Sequence, residues 1–594
     1  MSDFTLEIHK YPRFVVLKTT NPTILTDMYQ LVNKFSVYNF FQKKQLYSKK
    51  VSPREKANIK PARYFGGLYD NTELRFHISD YKDIKLWLEV NNIKNIDVYE
   101  HECCPGKDID LELKEGWVPR DYQVEPIEWI TKPGDKILTF QPGDGKTFMC
   151  VAALSKLKKR TVFVIKPRYI DKWIGDLQEL SNTTEDRILP IQGGYSLNEW
   201  LEAYREEDQG HDFVLISNRT FMDYLKKYEQ GFGSDIDPQD YCNVLNAGIL
   251  VVDEVHQDFN FNYRLSTYTT ACKFIGMSGT FISSDRDISS KMWRLFPKDT
   301  RLKPRTKPAY IDIYAVRYKF AFTHIPKEYH YTLAGAYNHI RYERFIMANI
   351  YRLYDYVKLI EEYFQTYIDR REDGDKCLIY AASIMMCHFL ANYIKLNYPE
   401  FKTTTKVEGD IYDVIIENDI IVSTVQSSGT AFDIPNLITV VQTMSIDTSQ
   451  SNLQALGRLR DLKSKKMEFY YLYSTDVQKH TTYHFNKKEL FQSLAKKFRS
   501  IAYDKSLGDS YNVARTNKKV RSEVAELEIL RDYIFLRDIK INYPKQIKQT
   551  KEAITKSAGK KKGWLRRKLN NLEREYREYL SKEKEIIQSF EDLF

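Results

Sequence analysis

The chain has 594 residues, a formal net charge of +10 and an apolar fraction of 42%, with 43 Tyr and 32 Phe. That length exceeds a single core and predicts roughly three to four folded domains, and the apolar content excludes a largely disordered chain. No apolar run approaches the roughly 18–20 residues of a membrane span. Met1-Ser-Asp-Phe-Thr5 lacks the charged-then-apolar pattern of a secretory leader, so a cytoplasmic protein is expected. The seven cysteines form no CxxC pair. Cys103 and Cys104 are adjacent, a poor geometry for zinc or an ordinary disulfide, so reduced thiols are expected.

Residues 1–115 predict a small α+β domain. Phe4–Ile8, Phe14–Leu17 and Ile96–Tyr99 read as strands, and Asp83–Val90 as a helix. Between them Lys43-Lys44, Lys49-Lys50 and Lys56–Lys60 mix with Tyr47 and Tyr64-Phe65. That mixture fits a nucleic-acid surface and fits an ordinary polar loop equally well.

Trp117-Val-Pro-Arg-Asp-Tyr-Gln123 opens the next region, 23 positions ahead of Lys146. A Gln here offers a donor and an acceptor suited to an adenine edge. Ile137–Phe140 reads as a strand, Gln141-Pro142-Gly143-Asp144-Gly145-Lys146-Thr147 as a turn, and Phe148–Leu154 as a helix. Strand, Gly-rich turn and helix N-terminus make a phosphate cradle of backbone N–H groups. Lys146 reaches the β/γ-phosphates in such a loop, and the Thr147 hydroxyl holds Mg²⁺. Phe140 stands where the full pattern has its first Gly.

Strands then alternate with helices: Thr161–Ile165 before Lys166-Pro167-Arg168, Phe213–Ile216 before Ser217-Asn218, and Gly248–Val252 before Asp253-Glu254-Val255-His256. Phe274–Met277 runs into Ser278-Gly279-Thr280. This alternation implies a parallel, right-handed α/β sheet, whose ligands bind beyond the strands' carboxyl ends. Asp253 is placed to complete a Mg²⁺ shell, and Glu254 to accept a proton from the water that attacks the γ-phosphate.

In this order Gln123, Gly143–Thr147, Asp253–His256 and Ser278–Thr280 resemble the first half of a superfamily 2 helicase, and a second half follows. Lys376–Ser383 resembles the opening motif of that half, Ile420–Thr424 with Gly429–Pro435 its fifth motif, and Gln454-Ala-Leu-Gly-Arg458-Leu-Arg460 its sixth. Ala431 replaces a common Gly, and Asp461 stands at the place of the usual second arginine, one past Arg460. The resemblance covers about residues 117–475. It implies two tandem RecA-like parallel-sheet domains, at 116–310 and 311–484. It implies ATP and Mg²⁺ as cofactors, an arginine finger at Arg458 with Arg460 beside it, and coupling of hydrolysis to motion through His256, Ser278, Thr280 and Gln454. Nucleic acid is expected near Arg168, Asn218 and Thr424. Within the superfamily the plan is similar to the phage UvsW and RecG-like group, which implies unwinding or remodelling of branched DNA in replication, recombination or repair. A sequence-specific binder such as an origin recogniser with a remodelling ATPase, and an RNA helicase, stay open.

Residues 485–594 read as a mainly helical accessory domain. Val520, Val524, Leu527 and Leu530 keep helical spacing until Asn542-Tyr-Pro544 breaks it, and a second stripe runs from Leu565 to Leu580. Lys540–Lys568 holds eleven Lys/Arg and one acid, Glu552, so this segment alone carries a net +10. Such a focus favours a polyanion partner, with Lys561, Lys562, Trp564, Arg566 and Arg567 as contacts to DNA. The apolar stripe is too short for a sustained coiled coil, and a monomer is expected, acting with replication or recombination proteins.

Overall fold

The computed structural model describes residues 6–593 apart from 39, 49–51, 54–55, 57, 141–142, 233–235, 280, 282, 284, 303–308, 322–323, 334–335, 408–412, 426–433, 504–506, 508 and 556–558. The chain divides into two compact units, Met1–Thr306 and Lys307–Phe594.

The first unit begins with a small α+β domain. Its strands are β1 (Leu6–Lys10), β2 (Phe14–Lys18), β5 (Phe65–Gly67), β6 (Glu73–His77) and β7 (Ile96–Glu100), in the order β5-β6-β2-β1-β7. All pairings are antiparallel except β1 with β7. A shorter pair, β3 (Ser36–Val37) and β4 (Ala62–Arg63), lies between them in sequence. One face buries Leu6, Ile8, Val15, Leu17, Leu74 and Phe76. Helix Pro22–Lys34 covers that face with Ile24, Met28 and Leu31, and helix Tyr81–Val90 with Ile84, Trp87 and Leu88.

Strand β6 is buried along its whole length although it reads Glu-Leu-Arg-Phe-His. The charged half of it faces the next domain. The Arg75 guanidinium donates to Glu73 and to the Thr267 carbonyl and lies over the Tyr268 ring at 4.2 Å. Arg13 makes a two-pronged bond to Asp135 at 2.7 and 2.6 Å and donates to the Thr269 carbonyl at 2.8 Å. Each of these buried guanidinium groups thus has a carboxylate beside it as counter-charge.

That next domain is a six-stranded sheet of β8 (Lys136–Thr139), β9 (Thr161–Ile165), β10 (Ile188–Ile191), β11 (Phe213–Ser217), β12 (Ile249–Val252) and β13 (Lys273–Ser278). The order is β10-β11-β9-β12-β13-β8, and every pairing is parallel. Helices on both faces explain why β9, β11 and β12 are buried throughout and almost wholly apolar rather than alternating.

Cys103 corrects the expectation of reduced cysteines, because it is bonded to Cys272 across 169 residues. The backbone of Cys104 bonds those of Thr270 and Cys272, which lays the two segments side by side with Cys103 opposite Cys272. Adjacency to Cys104 bars a bond within that dipeptide and says nothing about a distant partner. The other five cysteines are free and buried.

The second unit is built on a seven-stranded sheet of β14 (Ile311–Tyr318), β17 (Lys376–Ala381), β18 (Thr403–Lys406), β19 (Ile420–Thr424), β20 (Leu437–Gln442), β21 (Met467–Ser474) and β22 (Ala495–Ala502). Its order is β18-β19-β17-β20-β21-β14-β22, again all parallel. A short hairpin, β15 (Thr332–Leu333) with β16 (Ala336–Tyr337), leads into helix His339–Met347. Two tandem RecA-like sheets therefore form the centre of the chain.

Two features of the C-terminal stretch differ from the sequence reading. Ala495–Ala502 is an edge strand, not helix: Phe498 and Ile501 pack on the core from a strand that satisfies the open side of β14. Their spacing of three mimics a helical stripe. Helix Lys518–Thr555 also runs through Pro544 without ending. A proline inside a helix costs about 3 kcal/mol. Here helix Gly559–Ser581 and its continuation hold both flanks, through Tyr543–Glu575, Lys551–Glu573 and Lys540–Glu583. Val524, Leu527, Leu530 and Ile534 sink the first half of the long helix into the core of the unit.

Glu343 gives this unit a titrating joint. Its buried carboxylate accepts from the backbone N–H of Ala382 and Ser383 and from the Ser383 hydroxyl, where helix Ile384–Asn397 begins. Burial nevertheless pushes its pKa up to about 7 against these bonds. A carboxyl raised above its unfolded value favours folding in its protonated form. Its contribution is full below about pH 4.5 and fades as pH rises through 7. Urea titrations across pH 4.5–7.5 should show the second unit losing about 3 kcal/mol over that window, at 1.36 kcal/mol per pKa unit. In Glu343→Gln that slope should disappear.

Candidate functional site

The first sheet's carboxyl edge gathers the predicted site residues of the first unit. Strand β8 ends at Thr139, Phe140 follows it, and the loop is described again from Gly143, with Pro142 outside the described residues. Gly143 and Gly145 have φ of 90° and 78°, the left-handed region that L side chains avoid. Gly145 caps helix Lys146–Leu157, so the loop delivers its last N–H groups at a helix N-terminus.

Gln123 fastens this loop from behind. Its Oε1 accepts from the Arg120 N–H and its Nε2 donates to the Asp144 carbonyl, both at 3.0 Å. It is buried, and these two bonds use the amide that the sequence reading assigns to adenine. A Cβ at Gly145 would lie 2.5 Å from Gln123 Nε2. Asp144 is buried in the loop, and Thr147 is half-buried at the second position of the helix. Lys146 Nζ donates to the Phe140 carbonyl at 3.0 Å, so the ammonium spans the loop it serves.

The acid pair follows β12. Asp253 accepts from the Trp173 indole N–H at 3.1 Å and from the Glu254 N–H at 2.8 Å. Burial raises its pKa, while the Trp173 bond and the Lys146 charge work to keep it ionised. Glu254 is buried with φ 48°, an uncommon conformation for a non-glycine residue. His256 Nδ1 shares a hydrogen bond of 2.6 Å with the Ser278 hydroxyl and lies 3.3 Å from Glu254 Oε2. Burial first, then Lys146 and Lys166, lowers the His256 pKa to about 3, so the imidazole is neutral at ordinary pH. Thr280 lies outside the described residues.

Helical periodicity places Trp173 in an apolar stripe; its indole N–H on Asp253 is a polar role that periodicity does not reveal. Asp258 carries no sequence signal of its own. It accepts from Asn218 Nδ2 at 3.3 Å and lies 3.6 Å from Lys166. Arg168 is exposed and bonds the hydroxyl of neighbouring Tyr169 at 2.8 Å.

In the second unit Thr424 closes β19, and most of the Gly429–Pro435 motif lies outside the described residues. Gln454 is half-buried on helix Ser449–Leu456. Just beyond it Arg458 is buried and Arg460 donates to the Gly457 carbonyl at 2.6 Å. On helix Gly559–Ser581, Arg566 and Arg567 are exposed and Lys562 is half-buried. The side chains of Lys561 and Trp564 lie outside the described residues.

A phosphate loop, an acid pair and a Ser–His bridge meet at the carboxyl edge of a parallel sheet, where folds of this kind bind their ligands. Residues 117–283 match the family described as the type III restriction enzyme, res subunit. The matched residues fall within the first α/β domain of the chain. The chain is 25% identical over 178 residues to a DNA 3'-5' helicase XPB of Kineococcus radiotolerans, a match covering 30% of this chain and 28% of that protein. Among solved structures, the Hef helicase domain of Pyrococcus furiosus is 13% identical with TM-score 0.40, over 62% of this chain and 98% of that one. UvsW of T4 is 13% identical with TM-score 0.29, over 84% and 99%.

The loop geometry makes a direct prediction. Gly145→Ala adds strain at φ 78° and a methyl against the Gln123 amide. Titration with a fluorescent ATP analogue should show affinity at least about tenfold weaker, equivalent to about 1.4 kcal/mol.

Proposed function

We propose that the protein is an ATP-dependent DNA helicase or translocase that unwinds or remodels branched DNA in replication, recombination or repair. The observation that carries this reading is the joining of Lys146, Asp253, Glu254 and the His256–Ser278 bond on one sheet edge. Similarity to a DNA helicase over 178 residues supports DNA rather than RNA. We read residues 1–115 and 485–594 as accessory regions around a motor spanning 116–310 and 311–484, with the strand Ala495–Ala502 lent by the C-terminal region to the edge of the second motor sheet.

In this reading ATP phosphates lie on the N–H groups of Gly143–Thr147 and on the Lys146 ammonium. The Asp253 carboxylate and Thr147 hydroxyl are hard oxygen donors that suit Mg²⁺, which when bound would neutralise phosphate charge. Glu254 accepts the proton of the attacking water, and neutral His256 holds Ser278 without competing for that proton. Arg458, with Arg460 beside it, supplies guanidinium charge to the γ-phosphoryl oxygens, where negative charge develops. Arg168, Asn218 and Thr424 contact phosphates, and the basic helix with Lys562, Arg566 and Arg567 adds attraction that carries little sequence preference.

The test is steady-state hydrolysis without nucleic acid, then with single strand, blunt duplex, fork, four-way junction and RNA. Lys146→Ala serves as the blank. Forks or junctions should stimulate well above blunt duplex, and Glu254→Gln should still bind ATP while losing at least about a thousandfold in turnover, the scale of a positioned general base. Stimulation chiefly by RNA would overturn the DNA assignment. A response confined to one duplex sequence would favour an origin-type binder.

A further inference from the structure

The second unit holds a cationic cleft that none of the helicase motifs occupies. Beyond β14 the chain forms the short helix Glu328–Tyr331, the β15–β16 hairpin and helix His339–Met347. A cleft of about 710 Å³ opens among these elements, lined by Lys327, Arg341, Arg344 and Arg352 and by no Asp or Glu. None of these four cations has a carboxylate partner among the described residues. Arg341 and Arg352 bond only the carbonyls of Thr332 and Phe345.

Arg352 is the informative member. It is 8% exposed, its Nε is buried without a hydrogen-bond partner, and its guanidinium lies over the Phe345 ring at 3.6 Å. A buried guanidinium lacking a counter-anion is costly, and here burial lowers its pKa to about 10. The cost is recovered when an anion enters. Four cations around one concavity also focus a positive potential into it.

The rings at the cleft narrow the choice of anion. Phe345 stacks on His330 at 4.4 Å, and His330 meets the edge of Tyr329 at 4.0 Å. Tyr329 is 65% exposed, a large ring held at the mouth with its outer face open. Arginine forks match phosphate oxygens in pairs, and an open aromatic face stacks on any nucleobase. A bare inorganic anion has no use for the ring.

We infer that this cleft binds the phosphodiester backbone of a nucleic acid strand, with Arg341, Arg344 and Arg352 on the phosphates and Tyr329 against an adjoining base. Such a contact would hold the strand independently of the ATP state, through residues outside the helicase motifs.

The experiment uses the full chain without nucleotide and a fluorescein-labelled single strand, read by anisotropy across a KCl series. Arg341→Ala/Arg344→Ala removes two exposed side chains, so the fold should survive, which thermal unfolding checks. Affinity should fall about tenfold or more, and the log–log salt slope should shrink by about 1.4, at roughly 0.7 for each single-strand phosphate that is no longer neutralised. ATP hydrolysis without nucleic acid should not change, which separates failure of this cleft from failure of the motor. In parallel, a strand carrying 5-iodouracil should photo-crosslink to Tyr329 in the wild type. Tyr329→Ala should weaken binding and Tyr329→Phe restore it. Unchanged affinity and slope with no crosslink would overturn the assignment. So would millimolar pyrophosphate occupying the cleft in a protein whose strand binding is indifferent to the variants.

Discussion

The position of one strand governs the site. Strand β13 lies between β8 and β12 and runs parallel to both, with Ser278 opposite Thr139 and Gly276 opposite Val252. Phe140 therefore leaves β8 bonded to the Ser278 carbonyl, and Val255 leaves β12 bonded to the Met277 carbonyl. The phosphate loop and the acid pair, 107 residues apart in sequence, are each tied to the same strand end. Because side chains alternate along a strand, a slip of one residue in β13 would turn the Ser278 hydroxyl to the opposite face and cut its bond to His256. Register in one central strand thus sets the geometry of chemistry carried by its neighbours.

Much of this was legible from the chain. Buried parallel strands read as unbroken apolar runs that stop at a polar turn, and Thr161–Ile165, Phe213–Ile216 and Gly248–Val252 do so within a residue of the strands formed. Glycines beside Lys146 marked the loop because only glycine adopts its backbone cheaply. What stayed hidden depends on partners far along the chain. Ala495–Ala502 becomes a strand because β14 has an open edge, Pro544 is tolerated because another helix packs beside it, and Cys103 finds Cys272 through backbone pairing. The Trp173 indole on Asp253 and the Gln123 amide on the loop are single polar atoms, invisible to any periodicity.

Buried charge is used in two contrasting ways. At the junction of the small N-terminal domain with the first sheet, Arg13 and Arg75 are matched by Asp135 and Glu73 and by backbone carbonyls. Such matched pairs contribute little net stability over apolar packing but make any other docking expensive, because a misplaced guanidinium would be buried alone. In the second unit Arg352 bonds a backbone carbonyl but has no carboxylate partner among the described residues. The same physics that fixes one interface leaves the other cleft receptive.

The long C-terminal helix has a mechanical corollary. With 38 residues it is about 57 Å long at 1.5 Å per residue. Its first half is sunk in the core of the second unit through Val524, Leu527, Leu530 and Ile534, while the basic segment begins at Lys540 and continues into the following helix. Braces on both sides of Pro544 keep the free half from bending at its weakest point. The result is a lever clamped over its first half: a tilt of about 10° there would sweep the end of the free half, about 28 Å long, by about 5 Å. Angular changes too small to matter at the sheet would thereby become displacements of more than one step of about 3.4 Å along a nucleic acid strand at the basic tip.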